Sequence, residues 1–197
     1  VTDFEVLAAL ERALLDHQPS RIAGNFIEAA VMLAITKGGT EPSLIVTRRA
    51  AHLNLHAGES AFPGGKHDAQ DSSLLQTALR EAWEEVALEP RQFRFIGELD
   101  QQLTSTGIRV SPFVGVVSDA VALSANLAEL DSIFKVPLAF LVDRSNLQFT
   151  PKIYPQGTIN VPNFIYGEYS VWGATARMVI ELMNKAFDAR LPLTLDS

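Results

Sequence analysis

Arg80-Glu81-Ala82-Trp83-Glu84-Glu85-Val86-Ala87-Leu88 is the stretch that decides how this chain reads; Phe62-Pro63-Gly64-Gly65-Lys66 precedes it and Pro90 closes it. At 3.6 residues per turn, Glu81, Glu84 and Glu85 fall within roughly a 100° arc, so three carboxylates crowd one face near the end of a helix. Like charges at that spacing cost about 0.2–0.5 kcal/mol per pair, and anions near a helix C-terminus also oppose its dipole. A cation relieves both. Hard divalent ions such as Mg²⁺ take carboxylate oxygens and leave positions open for water and substrate phosphates. Glu81 and Glu85, four apart, are the best pair to grip one ion, with Glu84 beside them to bind a second ion or orient water. Arg80, four before Glu84, is placed to hold a carboxylate in position. Gly64-Gly65 permits backbone approaches closed to other residues, so this loop can bring a carbonyl or amide against a metal or phosphate.

Working outward, Ser73 and Gln76 fit a capping box for that helix, and Leu75, Leu79, Ala82 and Val86 form its buried stripe. An amphipathic helix is expected at about residues 3–15 from Phe4, Leu7, Leu10 and Leu14. Strands are expected at 29–35 and 43–47 around the Gly38-Gly39 turn, at 58–62, at 92–99 and at 112–117. A short helix at 137–141, a hairpin of 147–153 with 158–166, and a final helix at 171–187 complete the reading. Strands on both sides of helices, with an antiparallel hairpin among them, predict an α/β protein with a mixed sheet between helices. There is no internal repeat, low-complexity segment or linker, so residues 1–197 read as a single domain with no second unit.

A net charge of −7 excludes broad electrostatic binding of nucleic acid, although a metal and local cations can reverse the field inside a small site. With no cysteine, disulfides and thiolate chemistry are out. No apolar run approaches a membrane span, and Val1-Thr2-Asp3-Phe4 lacks the pattern of a signal peptide, so the expectation is a soluble cytoplasmic protein with no membrane partner. Other enzyme classes fit poorly. Ser60 and Ser111 are not in a Gly-any-Ser-any-Gly elbow, and Gly64-Gly65-Lys66 lacks the spacing of a Walker loop. His52, His56 and His67 have no recognised zinc spacing, though His56 is placed to hydrogen-bond within its loop.

Gly64 through Leu88 resembles the signature box of the Nudix hydrolases, which ends Arg-Glu, apolar, any, Glu-Glu, any, Gly, apolar. Here Ala87 stands at the Gly position, and the interval from Gly65 to Arg80 is one residue longer than usual. Strict counting puts Ser72 at the early acidic position; that role falls to Asp68 or Asp71, or is absent. The flanks resemble the coenzyme A pyrophosphatases of this family. The similarity runs through Leu44-Ile45-Val46-Thr47-Arg48-Arg49, Leu55 to Lys66, Thr104 to Gly115 and Val171 to Ala176, and so covers most of residues 30–180. It implies a Nudix-type alpha/beta/alpha sandwich, a Mg²⁺ or Mn²⁺ cofactor, and cleavage of coenzyme A or a derivative to 3′,5′-ADP and a 4′-phosphopantetheine product.

On this reading the metal ligands are Glu81 and Glu85, with Glu84 as helper and a loop carbonyl near Gly65. Arg80 supports them, and Glu59 is a further ligand or water-orienting group. The general base stays open among Glu84, Glu59 and Glu98. Arg48, Arg49, Lys66 and Arg109 are the candidates for the diphosphate and the 3′-phosphate, arginine offering a bidentate grip. Trp172 and Tyr166 are candidates for a base or pantetheine pocket. The alternatives are hydrolysis of ADP-ribose, a dinucleotide or another nucleoside diphosphate derivative, and, in a different class, a noncatalytic nucleotide-binding or protein-interaction module. The assembly is a monomer or a homodimer, with Leu191, Leu193 and Leu195 packing on the domain or on a second copy.

Overall fold

The computed structural model of the chain describes residues 3–53, 57–154 and 157–195. Its centre is β1 (Ile27–Lys37), an almost wholly apolar strand running parallel to β7 (Ile108–Ser118) in unbroken register from Ile27↔Ile108 to Lys37↔Ser118. On its other side β1 meets the antiparallel β2 (Ser43–Arg49) near one end and the short β4 (Gly64–Lys66) near the other, with Val31 opposite Gly64 and Ala30 opposite Gly65. The sheet continues outward from β2 through β3 (Ser60–Ala61) and β8 (Leu130–Pro137), and from β7 through β5 (Arg94–Glu98) and β6 (Gln102–Leu103). Among these pairings only β1 with β7 is parallel, so the sheet is mixed.

Side chains of β1 alternate between two cores because successive Cβ atoms leave a strand on opposite faces. Leu33 and Ile35 pack with Val6, Leu10 and Leu14 of α1 (Asp3–Leu14) and with Val179 and Met183 of α4 (Gly173–Phe187). Ala30, Met32 and Ala34 pack with Ala78, Ala82 and Val86 of α2 (Leu74–Val86). Helices therefore cover both faces, as the resemblance implies. Leu10 and Leu14 are at most 2% exposed, so truncating either to Ala would cost about 2–5 kcal/mol. Phe4, in contrast, is 80% exposed and lies off the apolar stripe of α1, whose buried members are Val6, Ala9, Leu10 and Leu14.

A second sheet, β9 (Leu147–Tyr154), β10 (Gly157–Tyr166) and β11 (Tyr169–Trp172), is an antiparallel meander beside α4, and the short α3 (Leu138–Val142) precedes it. The expected hairpin is its first two strands. The final helix starts at Gly173 rather than Val171, because Tyr169–Trp172 pair with Asn163–Tyr166. Strand β8 went unread in the sequence although Leu130, Phe134 and Val136 are buried and Asp131 and Lys135 exposed in alternation. Short β4 and β6 carry no readable period at all.

Candidate active site

Helix α2 begins where expected. Ser73 is its N-cap and the hydroxyl accepts from the Gln76 N–H at 3.1 Å. Ala78, Ala82 and Val86 are fully buried, while Leu75 and Leu79 flank them half-buried. The helix ends at Ala87, which adopts the left-handed conformation (φ 57°, ψ 28°). The N–H groups of Ala87 and Leu88 return to the carbonyls of Trp83 and Ala82, the closing arrangement that glycine at this position favours. The structural demand for the box glycine thus persists here, met by an alanine. The next orphan carbonyls, of Glu85 and Val86, accept from Asn126 and Ser124. This docks the segment 124–129 against the helix end and brings Glu129 toward the box.

Four carboxylates influence one another electrostatically, Glu81 and Glu129 acting on Glu85 and Glu84 and Glu129 on Glu81, although no three of them bring ligand oxygens within 4.8 Å of one another. Glu85 is buried (4% exposed), and its Oε2 accepts from the Gly64 N–H at 3.0 Å. Burial pushes its pKa up to about 7, against that hydrogen bond; the charges of Glu81 and Glu129 push the same way, and Arg49 opposes them. Burial likewise raises Glu81, with Arg80 opposing and Glu84 and Glu129 reinforcing. Glu84 is the exposed member, 52% accessible. Gly65 touches the cluster: a Cβ there would lie 2.6 Å from Glu81 Oε2. Gly64 is required for a different reason, since its Cβ would lie 2.6 Å from Val31 Cα, so β4 can approach β1 only without a side chain.

Arg80 holds the cluster from behind. Its Nη1 donates to Glu81 Oε1 (2.9 Å) and Glu84 Oε2 (3.2 Å), its Nε and Nη2 fork onto the two oxygens of Asp71 (3.0 Å each), and Nη2 reaches Lys66 O. Asp71 is therefore the acid that anchors Arg80. Arg80, with the Thr77 hydroxyl and the Asp68 N–H, holds its carboxylate well below the usual range against a desolvation penalty. Asp68 instead caps its own turn by accepting from Gln70 N. His67 hydrogen-bonds Thr77 Oγ1 (2.8 Å) and lies 3.9 Å from Asp71 Oδ2, and His52 meets Ala128 O. His56 and Leu55 lie outside the described residues.

The remaining candidates divide. Arg49 acts on Glu85 electrostatically, and its Nε is buried without a hydrogen-bond partner among the described residues. Arg48 points elsewhere, held by Asp131 (2.7 Å) and Glu168 (3.0 Å) over the Tyr169 ring. Arg109 is fully engaged with Glu28, Ile22 O and Gly24 O. Glu98 is paired with Arg21. Lys66 is exposed at the end of β4, Tyr166 stacks edge-on against Phe140, and Trp172, with Lys152 over its ring at 4.1 Å, lines the cleft beside the carboxylates.

Next to the carboxylates lies an open cleft of about 440 Å³. It is lined by Arg49, Glu59 and Ser60, by the loop after β6, by Ile159 and Val161 of β10, and by the first turns of α4, where the Thr175 hydroxyl donates to Ser60 O at 3.3 Å. Glu129 and Arg177 of α4 are the site residues that sequence reasoning missed. Neither carries a local pattern: only docking of 124–129 on α2, and of α4 on the cleft, brings them in. A second group, His17, Asp100 and Glu181, places possible ligand atoms within 4.8 Å of one another, but it contains no box residue. Its acceptors already serve Ser20 N and Asp100 N, and Lys185 stands 3.8 Å from Glu181.

An all-oxygen set of carboxylates on a rigid helix, backed by an arginine and a glycine loop, suits a hard divalent ion. The half-buried Glu81 and the buried Glu85, which repel each other, fit such a cation, which would hold them ionised. Fold and site together define a hydrolase of phosphorus anhydrides built on an α/β/α sandwich. The NUDIX domain model matches residues 26–135, and the chain belongs to the Nudix hydrolase family. It is similar to the proteins named Nudix hydrolase NudL of Yersinia enterocolitica (39% identity over 170 residues, 85% of this chain and 86% of that one) and of Escherichia coli (39% over 171, 86% and 88%). Among solved structures, a MutT/nudix family protein from Enterococcus faecalis shares the fold at 12% identity and a TM-score of 0.55, covering 95% of this chain and 70% of that one.

Proposed function

We propose that this Nudix hydrolase cleaves the pyrophosphate bond of coenzyme A or its derivatives, using Mg²⁺ or Mn²⁺. Water adds to one phosphorus and the bridging oxygen leaves on the other phosphate, giving 3′,5′-ADP and 4′-phosphopantetheine or its acylated form. The observation that carries the reading is the double duty of the segment resembling coenzyme A pyrophosphatases. Its Gly64 N–H fixes Glu85, while its Arg49, Glu59 and Ser60 line the adjacent cleft. One stretch of chain thus couples the carboxylates to the space where a substrate lies.

Glu81, Glu84, Glu85 and the Gly65 backbone are the groups to hold the ion, with Glu129 as a further carboxylate beside them. When bound, the ion neutralises the diphosphate and acidifies water at neutral pH. The chain's own residues do the positioning. Arg80 keeps Glu81 and Glu84 from turning away, the Gly64 N–H sets the face Glu85 presents, and Arg49 offers its guanidinium to a diphosphate oxygen at the mouth of the cleft. Such fixed charges stabilise the negative charge that builds on the phosphoryl oxygens without reorganising during the reaction.

The test is product analysis of the purified protein with coenzyme A and, separately, ADP-ribose, each with Mg²⁺ or Mn²⁺, and with Glu85→Gln as control. Metal-dependent 3′,5′-ADP and 4′-phosphopantetheine, lost in the control, are expected. Cleavage of ADP-ribose alone would overturn the substrate, and metal-independent binding of both without products would point to a noncatalytic nucleotide-binding module.

A further inference from the structure

The arginines of this protein are mostly committed. Arg21, Arg48, Arg80, Arg91, Arg94, Arg109 and Arg190 each hold a carboxylate. Arg49 and Arg177 hold none among the described residues, and both line the same cleft. Arg177 is exposed on the second turn of α4. It lies four residues after Gly173, which also lines the cleft, so helical geometry puts both on one face. Glu181, one turn further on, is no partner for it: its carboxylate accepts from Asp100 N (2.9 Å) and sits near Lys185. The first turn of α4 adds to the positive field there. Its N-cap is Trp172, which makes no side-chain capping bond, and Gly173, Ala174 and Thr175 line the cleft. Leu103, Ile159 and Val161 line the same cleft, together with Thr104, Ser105 and Trp172.

A cleft lined by two arginines from different elements, Arg49 of β2 and Arg177 of α4, neither holding a carboxylate among the described residues, fits a substrate with more than one anionic group. We propose that Arg177, on α4, forms a subsite for a phosphate monoester separate from the scissile diphosphate. This deepens the reading above and rests on it: in coenzyme A that group is the ribose 3′-phosphate. Arg49 serves the diphosphate and Arg177 the monoester. Of the three arginines singled out from sequence for the phosphates, Arg48 and Arg109 are spent on internal carboxylates and Arg49 serves the diphosphate, so Arg177 sets the preference for a substrate carrying the extra phosphate.

The experiment compares coenzyme A with 3′-dephospho-coenzyme A, which has the same diphosphate, in the wild type, Arg177→Ala and Arg177→Lys. Arg177→Ala should raise KM for coenzyme A roughly 10- to 100-fold, the range spanned by one charged hydrogen bond, with kcat retained and dephospho-coenzyme A turnover unchanged. Arg177→Lys should recover part of the loss. Equal losses on both substrates, or none on coenzyme A, would overturn the assignment. Calorimetric binding of 3′,5′-ADP against AMP reads the same subsite without turnover. If coenzyme A is not cleaved yet the preference for 3′,5′-ADP exists and disappears in Arg177→Ala, the substrate reading fails and the subsite stands. If coenzyme A is cleaved and the variant keeps that preference, the subsite fails and the substrate reading stands.

Discussion

Replacing Glu85 by Gln should make the metal-free protein more stable while abolishing hydrolysis. The Glu85 carboxylate is 4% exposed, and burial lifts its pKa from 4.5 to about 7. The folded state then binds a proton more tightly than the unfolded one, so the stability linked to this group is fully present below pH 4.5 and is lost as pH rises through 7. The displacement corresponds to about 3 kcal/mol at pH 8. Glutamine keeps the acceptor for the Gly64 N–H but buries an amide NH₂, offsetting about 1 kcal/mol of the gain. A net stabilisation of about 1–3 kcal/mol remains, or roughly 3–10 °C in thermal midpoint for a chain of this size.

The assay is thermal unfolding of both proteins in chelator at pH 4.5 and pH 8, repeated at pH 8 with Mg²⁺. The variant should gain on the wild type at pH 8 and show little advantage at pH 4.5. Mg²⁺ should raise the wild-type midpoint at pH 8 and close the gap, because an ion that binds only the folded carboxylates stabilises by mass action. An advantage of equal size at both pH values would refute the argument that charge burial, rather than packing, sets the effect. So would a variant less stable than the wild type at pH 8 in chelator.

Ala87→Gly should stabilise the protein by about 0.5–1 kcal/mol, read as a small rise in thermal midpoint, because glycine relieves the left-handed strain at the end of α2. Gly65→Ala should abolish hydrolysis with the midpoint changed by only a few degrees, since its Cβ meets the movable Glu81 carboxylate; Gly64→Ala, whose Cβ meets the β1 backbone, should instead lower soluble yield and midpoint together. Asp71→Asn should raise the Mg²⁺ concentration for half-maximal activity about 10- to 100-fold, as loss of support behind metal ligands typically does; an unchanged metal titration would show that Arg80 needs no anchor.

The parts of the fold legible in the sequence are those with a long period and local signals. Helix α2 declares itself through Ser73, its apolar stripe and its carboxylate face, and β1 through an uninterrupted apolar run buried on both faces. The candidate site was legible through α2, the glycine loop and the segment before it, which supplies Arg49 and Glu59, and through Trp172. Arg80 to Glu84 is an intrahelical distance, so spacing predicts it; Arg80 to Asp71 spans the loop whose extra residue blurs the count, and only the bidentate geometry settles which acid anchors the arginine. Glu129 and Arg177 were invisible because each reaches the site through tertiary docking. The arginines show the converse error. Arg48 and Arg49 are adjacent on β2 and chemically alike, yet strand alternation sends one to Asp131 and Glu168 and the other into the cleft.

That alternation has a consequence for how an acidic chain handles an anionic substrate. With a net charge of −7, long-range attraction of a polyphosphate is weak at best, and screening at physiological salt confines useful fields to about 8 Å. Selectivity must then come from cations at short range that are not already neutralised. Pairing most arginines with carboxylates removes competing basic patches from the surface, leaving Arg49 and Arg177 as unneutralised guanidiniums facing the cleft. Adding a carboxylate to the lining that Arg177 shares, as in Ile159→Glu, should therefore depress turnover of coenzyme A more than of its dephospho form. A uniform loss on both would mean that this part of the lining serves the cleft's shape and not its charge.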